Sequence, residues 1–185
     1  MKYYTFSEDN RLELRDDSSY LIPTGGFPLT DDQYAGILSG ALTGDNQGNV
    51  TTYSPPGPTL AEVQASQTIT VSLDCQAAIY SGFTSNALGA TYTYPFGDID
   101  QSNLTGSVLM STLSLANAPG WTTEFLCADP NGVWQYRSHT QAQIQQVGID
   151  AANVKLTKLI KNATLAAQIN AATDIASVQA IVWTN

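Results

Sequence analysis

Three prolines within four residues, Pro55-Pro56-Gly57-Pro58, constrain this chain more than any other feature. Proline locks φ and has no N–H, so this stretch can neither continue a helix nor donate to a sheet. It reads as an extended, semi-rigid spacer. Thr59-Leu60-Ala61-Glu62 follows at once and spells a capping box, in which the Thr59 hydroxyl takes the Glu62 N–H and Glu62 reaches back. A box of this kind needs a helix behind it. The chain therefore divides into a small β-rich unit over 1–54, a spacer over 55–58 and a mainly helical unit over 59–185. That is an α+β architecture.

In the first unit, Tyr3, Thr5 and Phe6 begin one strand, and Leu12, Leu14 and Arg15 another, within a stretch of short strands over 1–20. Glu8-Asp9-Asn10 is the turn between them. Ile22-Pro23 and Gly25-Gly26 interrupt regular structure. Thr30-Asp31-Asp32-Gln33 is another capping box, opening a short helix over 31–39 with Tyr34, Ile37 and Leu38 on one face. Asp45-Asn46-Gln47-Gly48 then turns the chain into an extended Val50–Tyr53.

In the second unit, the helix from Thr59 is expected to reach Tyr80 or Ser81, with Ile69, Leu73, Gln76, Ala77 and Tyr80 at helical spacing and Gly82 as its stop. Ala90–Phe96 alternates Tyr92, Tyr94 and Phe96 with Thr91, Thr93 and Pro95, which predicts a short edge strand. Asp98 or Asp100 is placed to cap a helix over about 100–114, lined by Leu104, Val108 and Ser111. Trp121–Ala128 and Val133–Arg137 form a hairpin around Asp129-Pro130-Asn131-Gly132. Its aromatics are expected to pair across the strands, at about 0.2–1 kcal/mol per pair. Ser138 or Thr140 starts the longest helix, to about Gln168, with Ile144, Val147, Ala151, Val154, Leu159 and Ala163 as its apolar stripe. Lys155, Lys158 and Lys161 recur every third residue, as a solvated face or a contact for an acidic partner. A last helix over 174–182 packs Ile175, Val178, Ile181 and Trp183.

Composition narrows the function. A net charge of −9 leaves no basic stripe to displace the counterions of a nucleic acid. No apolar run is long enough to insert into a membrane. Lys2 is followed by polar and acidic residues rather than the apolar core of an export signal. Folding in a reducing cytoplasm is therefore expected, with Cys75 and Cys127 as buried free thiols. His139 is the single histidine, the cysteines lie far apart in sequence, and no phosphate loop or nucleophile elbow occurs. These residues imply no metal, no cofactor and no enzyme. With only 12% charged residues, the surface is poor in charge. Trp121, Trp134, Tyr92 and Tyr94 read by default as core, and the alternative is that one or two of them anchor a protein interface or stack on a sugar.

The wording then becomes specific. Ile22-Pro23, Leu29-Thr-Asp-Asp-Gln-Tyr34, Gly36-Ile-Leu-Ser-Gly40, the Asn46–Asn49 turn and Pro55-Pro56 resemble the opening of phage tail fibre assembly proteins. Ala77-Ala-Ile-Tyr-Ser-Gly82-Phe, Tyr92-Thr-Tyr94-Pro95 and Asp100-Gln-Ser-Asn103-Leu104-Thr-Gly106 resemble a domain of tail fibre assembly and related tail proteins. Trp121-Thr-Thr, Gly132-Val-Trp134, His139-Thr-Gln-Ala-Gln143 and Ile181-Val-Trp183 complete that set. The resemblance implies a chaperone that binds the distal C-terminal region of a trimeric tail fibre in the host cytoplasm. It also implies that the chain can remain at the fibre tip of the virion and aid host recognition. The alternative is a tip protein that binds host glycans through its aromatics. Candidate partner-binding residues are Tyr92, Tyr94, Asp100, Gln101, Asn103, Trp121, Trp134 and His139.

Overall fold

The structure is a computed structural model describing residues 1–16, 21–113 and 118–184. Residues 17–20, at the end of the predicted N-terminal strands, and residue 114, at the end of the helix predicted over 100–114, lie outside the described residues. The fold is α+β. It divides into two compact units, Met1–Gly57 and Pro58–Asn185.

The first unit holds β1 (Lys2–Phe6), β2 (Leu12–Asp16), β3 (Phe27–Pro28), α1 (Asp31–Leu38), β4 (Leu42–Gly44) and β5 (Val50–Thr52). β1 lies between β2 and β3 in an antiparallel sheet, and β4 pairs with β5 as a separate hairpin. β3 and β4 carry too few residues for an alternating pattern. Thr30 caps α1 with the reciprocal bonds of its box. The buried Tyr4 anchors the unit, its ring 5.1 Å from that of Phe27 and its hydroxyl donating to the Asp45 carbonyl at 2.7 Å.

Residues 53–59 form neither helix nor strand and are exposed. The second unit then runs α2 (Leu60–Tyr80), β6 (Phe83–Ser85), β7 (Tyr92–Tyr94), α3 (Asp98–Ser111), β8 (Thr122–Ala128), β9 (Trp134–Thr140), α4 (Gln141–Ala171) and α5 (Ile175–Ala180). Thr59 and Glu62 close the predicted box, and Thr140 with Gln143 forms another at the head of α4. The strands make one antiparallel sheet in the order β6-β7-β8-β9. The edge strand expected at Ala90–Phe96 is therefore an inner one, because Phe83–Ser85 pairs along its other side. Gly82 makes that turn at φ +94, and a Cβ there would lie 2.4 Å from the Tyr94 carbonyl oxygen, so only glycine fits.

Three further expectations are corrected. Gly97, not Asp98 or Asp100, is the N-cap of α3; Asp100 sits three residues on and accepts the Gly97 N–H at 3.0 Å. The hairpin forms, but its aromatics do not pair: Phe125 faces Arg137, Leu126 faces Tyr136 and Ala128 faces Trp134. The stripe of α4 continues from Val154 through Lys158, Asn162 and Leu165 to the buried Ile169, while Leu159 and Ala163 point outward.

The sheet, α2, α3 and α4 enclose a core of Cys75, Ile79, Phe83, Tyr94, Phe96, Leu104, Phe125, Cys127, Ile144, Val147 and Ala151. A second cluster of Val71, Ile169 and Val178 closes the far end. Helices α2 and α4 run antiparallel, and each closes the other's carbonyl end. Gln64 Nε2 donates to Ile169 and Ala172 carbonyls at 3.1 and 3.0 Å, while Lys158 Nζ donates to the Ala78 carbonyl. These bonds satisfy terminal carbonyls that a helix leaves open.

Candidate functional site

The eight candidate residues do not form one site. Tyr94 and His139 meet in the core, both fully buried. The Tyr94 hydroxyl lies 2.9 Å from His139 Nε2, and His139 Nδ1 lies 2.8 Å from the Arg137 carbonyl oxygen. A carbonyl can only accept, so Nδ1 carries the proton and Nε2 accepts from Tyr94. Burial lowers the imidazole pKa below its ordinary value and raises that of the Tyr94 phenol. Both side chains are neutral structural groups, and neither offers a partner any surface.

Cys127 is a buried free thiol on the same face of the hairpin, and burial raises its pKa. Cys75 is likewise free and buried, its thiol pKa also raised by burial. A buried, protonated thiol is a poor nucleophile. Tyr92 is half-buried beneath the Arg137 guanidinium, 5.1 Å from its ring centroid, and Arg137 Nη2 donates to Asp129 at 3.2 Å. Trp121 packs half-buried against the main core.

Gln101 ties α3 down, donating to the Phe96 carbonyl at 2.9 Å and accepting from Lys155 Nζ at 2.5 Å. The lysine stripe is thus an internal device rather than a solvated face. Lys155 holds α3, Lys158 holds α2, and Lys161 bonds the Thr184 carbonyl with its ammonium 4.7 Å from the Trp183 ring centroid. Burial lowers the Lys158 pKa. Asp100 and Asn103 line a groove between α3 and β8 together with Tyr136. Trp134 stands apart, exposed beside Thr91 and Thr93.

The open surface lies elsewhere, on the helices. Ile69 and Leu73, which keep helical spacing along α2, are 61% and 59% exposed; Val71, Cys75 and Ile79 make the buried stripe. Ile69, Leu73 and Tyr80 form one wall of a groove whose other wall is Leu159, Asn162 and Lys155 of α4. Asn162 Oδ1 is buried there with no hydrogen-bond partner. A second apolar groove of about 850 Å³ runs between α3 and α4, lined by Leu104, Val108, Leu109, Ile149 and Ala152. The helices cross closely at Gly148, where a Cβ would lie 2.7 Å from Val108 Cγ2. The Lys155–Gln101 bond belongs to both grooves and separates them.

Sequence reasoning named none of the exposed residues of this surface as binding residues. The signal was present in α2, where apolar residues fall on two sides of the helix, and such a helix has more apolar surface than one core can cover. Among the described residues no three His, Cys, Asp or Glu side chains gather to hold a metal, and no helix is long and apolar enough to cross a membrane.

Fold and surface together define a mixed helix–sheet module with an open apolar helical face. The chain belongs to the family described as Domain of unknown function (DUF4376), whose model matches residues 62–182, from the first turn of α2 to beyond α5. Comparison with curated proteins found no match, and comparison with solved structures found none either.

Proposed function

We propose that this chain is a non-enzymatic tail fibre assembly chaperone that binds the distal C-terminal region of the trimeric fibre through its second unit. The observation that carries this reading is the exposed apolar stripe of α2, Ile69 and Leu73, which lines one groove with exposed Leu159 of α4. Contiguous exposed apolar surface of this kind marks an interaction site. Its chemistry suits a chaperone. A fibre trimer must align three chains before its β-rich tip can close, and exposed apolar residues and strand edges aggregate in the meantime.

The test is co-expression with the fibre protein. The fibre is expected to be insoluble alone, and soluble and trimeric with this chain, with a complex recoverable during assembly. Soluble fibre trimers made alone, with no complex when both are present, would remove the proposal. A glycan-binding role at the virion tip is favoured by one feature, the outward Trp134 and Tyr136, which are 50% and 70% exposed on β9. Binding on a glycan array that vanishes in the Trp134→Ala variant would establish that role.

A further inference from the structure

The two edges of the four-stranded sheet are managed differently. β6 is three residues long, lies against α4 and is fastened there by the Ser85 hydroxyl donating to Asp150 at 2.6 Å. β9 is seven residues long, and among the described residues it pairs only with β8. Proteins normally blunt such an edge with lysine, proline, a bulge or a covering element. β9, reading Trp-Gln-Tyr-Arg-Ser-His-Thr, carries a single charge, and the Arg137 guanidinium turns to Asp129 and the Tyr92 ring.

The ladder fixes which backbone groups are left over. The Asp129 N–H donates to the Val133 carbonyl at 3.1 Å, which sets the antiparallel phase. From there, Cys127–Gln135, Phe125–Arg137 and Thr123–His139 are the pairs that exchange hydrogen bonds. The N–H and C=O groups of Trp134, Tyr136 and Ser138 therefore point away from β8. Such a row of alternating donors and acceptors matches one kind of ligand, an extended backbone.

Resting on the chaperone reading, we infer that β9 accepts an extended segment of the partner as a fifth strand, and that this segment carries Lys or Arg among β-branched or aromatic residues. Charge selects this occupant. From Pro58 onward the chain has eight Asp and Glu against four Lys and Arg. All four cations are engaged within the unit: Arg137 on Asp129, Lys155 on Gln101, Lys158 on Ala78 and Lys161 on Thr184. Glu124, level with Ser138 on the outward face of the hairpin, has no cation beside it among the described residues. A second copy of this chain would set a net −9 against −9. A basic strand meets complementary charge.

The experiment is amide hydrogen exchange by NMR on the full chain. The probe is a capped seven-residue peptide of alternating Val and Thr with Lys at both ends. Without peptide, the Trp134, Tyr136 and Ser138 amides are expected to exchange about tenfold or more faster than those of Gln135, Arg137 and His139. Saturating peptide is expected to slow those three by a similar factor. The same peptide N-methylated at two adjacent central residues, so that each of its edges loses a donor, is expected to leave them fast. A peptide with Glu in place of Lys is expected to bind more weakly. Tyr136→Pro, which removes an outward N–H and leaves the β8 ladder intact, is expected to abolish the protection. If this variant does not fold, the N-methylated peptide decides.

The inference falls if the three amides are already slow in the free chain. It falls if they slow with chain concentration alone, which would make the occupant a second copy. It also falls if the N-methylated peptide protects equally well. Fibre capture without peptide protection removes only the edge strand; peptide protection without fibre capture removes only the chaperone reading.

Discussion

Helix α2 carries two apolar stripes with opposite fates. Val71, Cys75 and Ile79 are buried against the rest of the unit, whereas Ile69, Leu73 and Tyr80 border an open groove. The residue chemistry of the two is nearly the same, so hydrophobicity alone cannot say which is the core. Tertiary contacts decide it. Cys75 and Ile79 cluster with Phe83, Ile144 and Val147, and Val71 with Ile169 and Val178, which hold the inner stripe out of water. The outer stripe has no such roof, and keeping it apolar makes sense when a partner supplies one.

The contrast can be broken most severely on the inner side. Ile79→Ala removes buried methyl groups and is expected to cost about 2–5 kcal/mol in urea unfolding. Loss below 1 kcal/mol would mean that the inner stripe is not close-packed. Tyr94→Phe comes next, because it leaves His139 Nε2 a buried acceptor without a donor, at about 1–3 kcal/mol. The same variant is expected to raise the His139 pKa, since the neutral ring loses a stabilising bond, and a histidine NMR titration reads this directly.

Acid tests the core by another route. The folded His139 pKa lies below its ordinary 6.5. Between those two values the unfolded chain therefore binds the extra proton, and stability rises with pH. The full contribution is present above about pH 6.5 and is lost as pH falls toward the folded value. Thermal melts at stepped pH are expected to show this loss, reduced in His139→Gln. The capping carboxylates of Glu62 and Asp174, whose pKa values are lowered by the N–H and hydroxyl groups they accept from, lose their contribution only at lower pH. The smallest stability effect belongs to the outer stripe. Leu73→Ser is expected to change stability by no more than about 0.5 kcal/mol, and a larger loss would show that this stripe is already packed.

Much of the frame was legible in the sequence because it is local. The boxes at Thr30 and Thr59 each need only two side chains and a helix. The Asp129–Gly132 turn needs only Asp129, whose carboxylate accepts the Asn131 and Val133 N–H groups at 2.9 and 3.0 Å. What was illegible depends on partners distant in sequence. β6 has three residues, too few to show a period, and the inner position of Tyr92–Tyr94 follows from Phe83–Ser85 pairing alongside. The α4 stripe leaves Leu159 outside and takes in Lys158, a residue whose charge reads as surface. Its ammonium is drawn in by the carbonyl end of α2, which no pattern within α4 records. Two of the candidate residues are buried for the same reason. Tyr94 and His139 are unusual in sequence because they make a buried pair, not because they meet a partner.

The central claim, that the outer stripe is the surface that receives the fibre, has one direct measurement. The fibre's C-terminal region is co-expressed with the wild-type chain or with the Ile69→Ser, Leu73→Ser, Leu159→Ser variant, and soluble complex is quantified beside the melting temperature of each chain. The account predicts near-unchanged melting with complex recovery reduced about tenfold or more, the loss of a few central apolar anchors. Undiminished recovery by a folded variant would contradict it.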